Sequence, residues 1–262
     1  MLSSVHNLVA VLRAFRLDRP ELSLAELSRA VDLPKSTVNK VVRTLWAEGF
    51  LERAPGTLKY RPSLRMFEMG HFILNHIDLV REATPLIRHL ARQTGETAHL
   101  TYYENGEVIW LLRVDSPASY QLYSRVGRRA PASVTAAGKA VLAFLEEDEI
   151  RRVMEQGWRK LTWKTNLDRE ALRRDLERVR QTGYSFQSEE VDIGIASVGA
   201  PIWNDQGRAI AGISVAGPAV RFTPEAVRRM GRMAQQTGLA ISERLGFSGL
   251  PLDARTRAEE RS

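Results

Sequence analysis

The hydrophobic pattern of the first 50 residues predicts three short amphipathic helices. Apolar residues recur at intervals of three and four, which is the spacing of one face of a helix. The three apolar stripes are Val5, Leu8, Val9, Leu12 and Phe15; then Leu24, Leu27 and Val31; then Val38, Val41, Val42 and Leu45. Three such stripes can close around one core, so we expect a three-helix unit.

Local signals bound the second and third of these helices. Ser23 and Glu26 form the pattern of a capping box, which satisfies free amides at a helix start. Asp32 tolerates the left-handed conformation of a sharp turn, and Pro34 fits the first position of the next helix. Gly49 is typical of a helix end. The tight turn between the two helices therefore falls at residues 32–34.

A short hairpin is predicted directly after the third helix. Leu51–Arg53 and Leu58–Tyr60 are strand-like runs, and Pro55-Gly56 between them favours a tight turn. Two helices, a turn and a hairpin are the layout of a winged helix-turn-helix, which places its second helix in the DNA major groove. An ordinary helical hairpin with a solvated basic face is the competing interpretation.

Polar side chains of this segment are the kind that reach base edges and phosphates. They fall on the outer face of the predicted recognition helix, on the hairpin and at the capping box. The candidate DNA-binding residues are Ser23, Lys35, Ser36, Thr37, Asn39, Lys40, Arg43, Arg53, Lys59 and Arg61.

The pattern beyond residue 62 predicts a linking helix and a second, mixed domain. The linking helix runs from Ser63 to about Asn75, and another follows from Ile77 to about Thr94. Apolar residues on more than one side of this region make it a candidate dimer contact. Later elements are a hairpin across Asn105-Gly106, helices at 135–145 and 168–181, strands at 193–202 and 209–215, and a final helix at 223–245.

This order predicts an α+β fold, in which helices cover an antiparallel sheet. The expected domains are a winged helix-turn-helix at 1–61, a linker helix at 62–76, a sensor or assembly domain at 77–249, and a charged, disordered tail at 250–262.

The composition agrees with a polyanionic partner and argues against a metal site and a membrane span. Residues 1–61 carry 10 basic and 6 acidic side chains, so +4 of the net charge of +7 lies in less than a quarter of the chain. A basic excess in a small module agrees with a polyanionic partner. There is no cysteine, and the five histidines show no metal-ligand spacing, so we expect no metal site. No apolar run approaches the ~18 residues of a membrane span, so we expect a cytoplasmic protein with no membrane partner.

Three short motifs resemble parts of enzyme sites but lack their supporting residues. Ala137–Ala140 has the Gly-Lys of a phosphate loop, yet Ser133 and Ala140 replace its first glycine and its magnesium-binding hydroxyl. Thr37 lies three residues before Lys40, as in serine acyltransferases, but both fall on the predicted recognition helix. Glu189-Glu190 should diverge on an extended segment. We therefore expect no catalytic residue and no cofactor.

The order and spacing of several motifs resemble the IclR family of transcriptional regulators over nearly the full length. These motifs are Leu33-Pro-Lys-Ser-Thr-Val38, Thr44-Leu45 to Gly49-Phe50, Tyr60-Arg61 ahead of Leu64 to Gly70, Thr94-Gly-Glu-Thr97, Thr135-Ala-Ala-Gly-Lys139, Gly183-Tyr184, Ala200-Pro201 and Ile213-Ser-Val-Ala-Gly-Pro218. The resemblance implies a GAF-like effector-binding domain and a regulator of double-stranded DNA. It also implies a homodimer that can pair into a tetramer, and an effector that is an organic acid or an aromatic catabolite.

In this family the effector lies between one sheet face and the loops above it. Carried over by motif, the implied effector-binding residues are Thr135, Ala136, Ala137, Ser197, Ser214 and Ala216. Helix-start amides at 135–138 could receive a carboxylate, although small residues there could equally serve close packing of a strand and a helix. Ser197 stands where relatives often carry cysteine, and Lys40 where they often carry arginine. A ligand-free architectural DNA-binding protein is the remaining alternative.

Overall fold

The computed structural model describes residues 3–16, 18–76, 78–115 and 124–249, with the backbone alone for 71–76. The expected tail at 250–262 lies outside these residues. The chain divides into two compact units, Met1–His76 and Ile77–Ser262. The helix expected as a linker belongs to the first unit, and each unit has its own hydrophobic core.

Three helices and a two-stranded hairpin build the first unit, followed by a fourth helix. The elements are α1 (Ser3–Ala14), α2 (Leu24–Val31), α3 (Lys35–Ala47), β1 (Leu51–Arg53), β2 (Tyr60–Pro62) and α4 (Leu64–His76). The capping box at Ser23 is present, and Asp32 has a φ of 51° in the turn before α3. Pro34 lies one position earlier than expected, as the residue that precedes the helix.

The predicted stripe of α1 is wrong at two positions. Val5 and Val9 are 54% and 38% exposed, whereas Val11, which the stripe omits, is fully buried. Leu8, Leu12 and Phe15 do pack against the core. The core lies beside Val11, so the buried face of α1 is rotated around the helix axis relative to the predicted face.

The second strand of the hairpin begins two residues later than predicted. Leu58 is 78% exposed and lies in the turn, which the Ala54 amide closes by donating to the Lys59 carbonyl at 3.0 Å. Tyr60 pairs with Arg53 on one side and exchanges two backbone hydrogen bonds with Leu22 on the other, at 2.8 and 2.9 Å. The segment before α2 thus forms an isolated bridge to the two-stranded hairpin, and local patterning carries no signal for that pairing.

The second unit contains six strands and five α-helices within its described residues. They are α5 (Asp78–Thr94), β3 (Thr97–Glu104), β4 (Glu107–Val114), β5 (Arg129–Pro131), α6 (Ala136–Leu142), α7 (Glu147–Gln156), α8 (Arg169–Thr182), β6 (Ser185–Ser188), β7 (Ile195–Trp203), β8 (Ala209–Pro218) and α9 (Pro224–Arg244). The hairpin turn is confirmed, because Asn105 and Gly106 both have positive φ. The prediction omitted β5, β6 and α7, and α6 ends three residues earlier than expected.

The six strands form one antiparallel sheet in the order β5-β4-β3-β8-β7-β6. Alternate residues of a strand face opposite sides of a sheet. One side carries Val198, Ile213 and Leu100, which pack in the main core with α5 and α9. The other side carries Gly199 and Gly212, which lie against α6. The predicted α+β fold with a helix-covered antiparallel sheet is confirmed.

Candidate functional site

The outer face of α3 is open to solvent along the N-terminal half of the helix. The buried residues of this helix are Val38, Val42 and Leu45, which pack in the first unit. The opposite face of the helix therefore points outward. Lys35, Ser36, Lys40 and Arg43 are exposed, and Thr37 and Asn39 are half-buried. The Thr44 hydroxyl, which is also exposed, donates a hydrogen bond to the Lys40 carbonyl of the same helix.

Two cations of the hairpin are already paired within the first unit. Arg61 Nε lies 2.7 Å from Glu52 Oε1, and its Nη1 lies 3.6 Å from Glu21. Lys59 Nζ lies 3.7 Å from Glu26. Arg53 lies over the Tyr60 ring, 5.6 Å from its centroid. A phosphate would have to compete with carboxylates for Lys59 and Arg61, so these two side chains are less available to a phosphate than their charge alone indicates.

Ser23 has partners for both functions of its hydroxyl. Its Oγ donates to Glu26 Oε2 at 2.7 Å and accepts from the Glu26 amide at 3.3 Å. Hydrogen bonds from Ser23 also lower the pKa of Glu26. The side chain therefore stabilises the start of α2, and any DNA contact at this position would have to disturb that cap.

One cavity in the second unit lies between the sheet and the start of α6. Its volume, measured as the space open to the centre of a water-sized sphere, is about 40 Å³. All six residues implied for effector binding line it. The lining residues are His99, Thr101, Trp110, Ser124, Thr135, Ala136, Ala137, Gln187, Val191, Asp192, Ile195, Ser197, Ser214 and Ala216.

Strand alternation explains which side chains face this cavity. Ser214 and Ala216 are two residues apart on β8, and His99 pairs with Ser214 across the β3–β8 ladder. Thr135 precedes α6 and accepts a hydrogen bond from the Gly138 amide at 3.0 Å. One of the helix-start amides considered for a carboxylate is therefore occupied by the cap itself.

The sequence interpretation missed eight lining residues, and His99 is central among them. Its Nε2 lies 2.7 Å from the Ser124 hydroxyl, and its Nδ1 lies 3.4 Å from that of Ser214. Nearby, Gln187 donates to the Ser197 hydroxyl at 2.8 Å. Polar residues at 97, 99 and 101 alternate along β3, and this alternation could have indicated that His99 faces one side of the sheet with them. The partners of His99 lie far away along the chain, so the sequence did not reveal them.

His99 is held as a neutral imidazole. Burial lowers its pKa from 6.5 to about 3, the charge of Arg113 acts in the same direction, and Asp115 opposes them. A neutral ring has one donor and one acceptor nitrogen, so it can bridge two hydroxyls. His99 therefore contributes polar groups but no charge to the cavity, whose lining also includes the acidic residue Asp192.

The buried His99 should make stability depend on pH below neutrality. Below pH 6.5 the unfolded chain takes up a proton at this residue, whereas the folded chain does not until about pH 3. The free energy of unfolding should therefore fall by about 1.4 kcal/mol per pH unit from this group, between roughly pH 6 and 4. Above pH 6.5 the group contributes no pH dependence.

Urea unfolding of the wild type and of His99→Gln at pH 7, 6, 5 and 4 measures this contribution. The wild-type stability should fall more steeply than that of the variant. Parallel pH profiles would show that His99 titrates normally in the folded chain.

The structure shows where the residues of the three enzyme-like motifs lie and which partners they have. Lys139 is buried, and its Nζ lies 2.6 Å from Glu190 Oε1 and 2.9 Å from Asp175 Oδ2. Thr37 and Lys40 lie on α3. Glu189 and Glu190 have different partners, since Lys164 pairs with the first and Lys139 with the second. Within the described ranges, no three metal-ligating side chains are grouped to hold an ion, and no helix is long and apolar enough to cross a membrane.

Two family models match the chain. One is described as the IclR helix-turn-helix domain and matches residues 4–55. The other is described as bacterial transcriptional regulator IclR C-terminal and matches residues 71–243. The first match ends in the turn of the hairpin, and the second begins within α4.

Individual relatives match along nearly their whole length. The chain is 33% identical over 250 residues to the HTH-type transcriptional regulator KdgR of Escherichia coli (strain K12), covering 95% of each protein. It is 32% identical over 249 residues to the HTH-type transcriptional regulator XynR of the same organism, covering 94% of this chain and 98% of XynR. The crystal structure of an IclR homolog complexed with 4-hydroxybenzoate from Microbacterium hydrocarbonoxydans has a TM-score of 0.80 at 24% identity, over 92% of this chain and 98% of that one.

Proposed function

The chain belongs to the IclR family of bacterial transcriptional regulators, and we propose that α3 contacts its operator while the cavity of the second unit binds its effector. It is a DNA-binding regulator with an effector-binding domain, and not an enzyme. The observation that carries the assignment of the cavity is the convergence of all six motif-implied residues on its wall.

The exposed polar face of α3 supports its role as the recognition helix. Lys35, Ser36 and Lys40 lie at the N-terminal end, which enters the major groove in this motif. Arg43 lies two turns further along and can reach a phosphate or a guanine. We keep Ser23, Arg53, Lys59 and Arg61 as secondary candidates, because each already has a partner within the first unit.

The lining of the cavity fits a small, partly apolar effector with several hydrogen-bonding groups. Trp110 and Ile195 supply apolar wall, while Ser197, Ser214 and Gln187 supply hydroxyls and an amide. Such a mixture is typical of ligand sites that orient a compound through a few polar groups. An aromatic or organic acid matches this lining, and 4-hydroxybenzoate, which the Microbacterium homolog binds, is one compound of that class.

We further propose that the protein acts as a homodimer that can pair into a tetramer. Val5 and Val9 on α1, and Leu64 and Met69 on α4, are exposed apolar side chains that a second copy could cover. Effector binding would then bias one of two conformations and change the spacing of the two α3 helices through α4. A regulator that binds chromosomal operators acts in the cytoplasm.

Two measurements test these assignments together. Fluorescence anisotropy against genomic fragments should find one preferred promoter, whereas a ligand-free architectural protein would bind most fragments alike. A thermal-shift screen with small carboxylates and aromatic acids should find a compound that raises the melting temperature, because a ligand that binds only the folded chain stabilises it. Uniform binding to all fragments, with no stabilising compound, would contradict the proposal.

Ser214→Leu should abolish the response to the stabilising compound and leave promoter affinity unchanged. Ser214 is buried at the cavity wall, so the larger side chain occupies ligand space. We expect affinity for the compound to fall at least about tenfold, or about 1.4 kcal/mol. Isothermal titration measures it.

Ser188→Leu is the matched control, because Ser188 is exposed on β6 and lies outside the cavity lining. It should bind the compound like the wild type. Normal binding by Ser214→Leu would remove this residue from the effector site.

A further inference from the structure

We propose that the buried ion pair between Lys139 and Glu190 holds two walls of the effector cavity at a set distance, which makes both of them positioning residues for effector binding. Neither side chain lines the cavity. The inference rests on the proposed function of that cavity and adds how its shape is maintained.

One wall is the start of α6 and the other is the loop of residues 189–194. Thr135, Ala136 and Ala137 form the first wall, and Lys139 follows two residues later on the same short helix. Val191 and Asp192 belong to the second wall, directly after Glu190. Lys139 Nζ donates a hydrogen bond to Glu190 Oε1 at 2.6 Å. This bond therefore joins the two walls through residues that lie beside them in the chain.

The loop departs from the sheet with an unfavourable backbone conformation. Glu189 has a φ of 61°, in the left-handed region that non-glycine residues rarely adopt. Its amide donates to the Ile195 carbonyl at 2.7 Å, which closes the base of the loop. Contacts from outside must hold such a loop in place, because its own backbone favours other conformations.

Glu190 supplies most of those outside contacts. Its amide donates to Gln187 Oε1 at 3.0 Å, and its carbonyl accepts from the Thr165 hydroxyl at 2.8 Å. Its side chain receives Lys139. Gln187 in turn donates to Ser197, so the network reaches a residue of the cavity. Displacing Glu190 would move Val191 and Asp192 with it.

The Lys139–Glu190 pair lies away from water. Lys139 is 3% exposed, and Asp175 on α8 is its second carboxylate partner at 2.9 Å. Burial raises the pKa of Glu190, while the charge of Lys139 opposes that shift. Removing one member of a buried pair leaves the other charge without compensation, so the remaining group moves toward solvent or changes protonation. Either response removes the side-chain tie between the loop and α6 and leaves the loop held only by its other contacts, such as those of the Glu190 backbone.

The absence of cysteine from the sequence allows a direct test of the wall. Ser197→Cys places one thiol inside the cavity, and its alkylation rate by iodoacetamide reports how often the cavity opens. In this background Lys139→Met should raise that rate at least about tenfold, because local opening controls access to a buried group. Lys164→Met is the matched control, since it removes an ion pair with Glu189 of the same loop in which the lysine side chain is 37% exposed. Its rate should stay near the parent value.

A second single-cysteine background separates loop release from general loosening. Ser242 lies on α9, which packs on the main-core side of the sheet, and its side chain is fully buried, so Ser242→Cys reports on that side. Its alkylation rate should not change with Lys139→Met. An unchanged rate at position 197, or an equal rise at 197 and 242, would overturn the proposal. Should Lys139→Met not fold, Glu190→Gln, which keeps the side-chain volume, decides by the same criteria.

This readout needs no effector. The alkylation result can therefore contradict the positioning role of Lys139 and Glu190 without contradicting effector binding. It can also be interpreted if no effector is found. Once the thermal-shift screen yields a compound, Lys139→Met should also weaken its binding while leaving promoter affinity at the wild-type value.

Discussion

Replacing Lys35 and Arg43 together by alanine is expected to weaken binding to the preferred promoter by about 30-fold or more, since each lost contact costs roughly 1–3 kcal/mol. Both side chains are exposed on α3, and neither forms an ion pair with a described residue. They therefore approach DNA without first breaking a contact. Fluorescence anisotropy with the promoter fragment, at several salt concentrations, measures the loss.

The salt dependence separates the two modes of contact. A lost phosphate contact reduces the slope of log affinity against log salt by about 1, whereas a lost base contact leaves the slope unchanged and relaxes sequence preference. Single variants assign a mode to each residue.

The double variant Lys164→Ala with Arg178→Ala is the matched control, because it removes an equal number of positive charges from exposed positions of the second unit. It should leave promoter affinity nearly unchanged. Equal losses in the two double variants would mean that net charge, and not the face of α3, accounts for DNA binding.

Gly138→Ala is expected to destabilise the second unit, although alanine is the better helix former by about 1 kcal/mol. A Cβ at this position would lie 2.3 Å from the Ala132 carbonyl oxygen and 2.5 Å from Thr135 Oγ1. The Ala132 backbone is itself held by a hydrogen bond from its amide to Gly106. Because backbone atoms cannot yield as a flexible side chain can, we expect a net loss of about 2 kcal/mol or more.

The same change should move the start of α6, where Thr135, Ala136 and Ala137 form one cavity wall, and so abolish the effector response. Differential scanning calorimetry measures the melting of the unit. Gly70→Ala is the control, because Gly70 also lies within a helix and a Cβ added there would have no neighbouring atom within 4 Å. It should be neutral or slightly stabilising. A Gly138→Ala protein as stable as Gly70→Ala would refute the close packing of α6 on the segment before it.

The elements predicted correctly are those with strong local signals. The capping box at Ser23, the Asn105-Gly106 turn and the Gly49 helix end each act within four residues of chain, so sequence spacing is enough to identify them. The missed strands β5 and β6 are three and four residues long, and their hydrogen-bonding partners lie elsewhere in the chain. Val11 was missed because periodicity defines a stripe but does not show which edge of it meets the core.

The candidate sites divide in the same way. The six motif-implied residues line one cavity because their motifs fall on β7, β8 and the start of α6, which pack together. His99 and Gln187 belong to no recognised motif and enter the cavity only through strand pairing. The internal pairing of Lys59 and Arg61 was likewise invisible, since their carboxylate partners are set by tertiary contacts.

The amino-acid sequence alone determined the helix-turn-helix, the α+β class and the family, because these depend on local spacing and motif order. Only the tertiary structure decided which polar groups are available and which are already paired. Lys139 illustrates the difference. In sequence it is a cation beside a glycine, as in a phosphate loop, but folding buries it between Glu190 and Asp175. Electrostatic partnership depends on distance in space, and residues that are 36 and 51 positions apart in the chain become neighbours only when the sheet and its helices close.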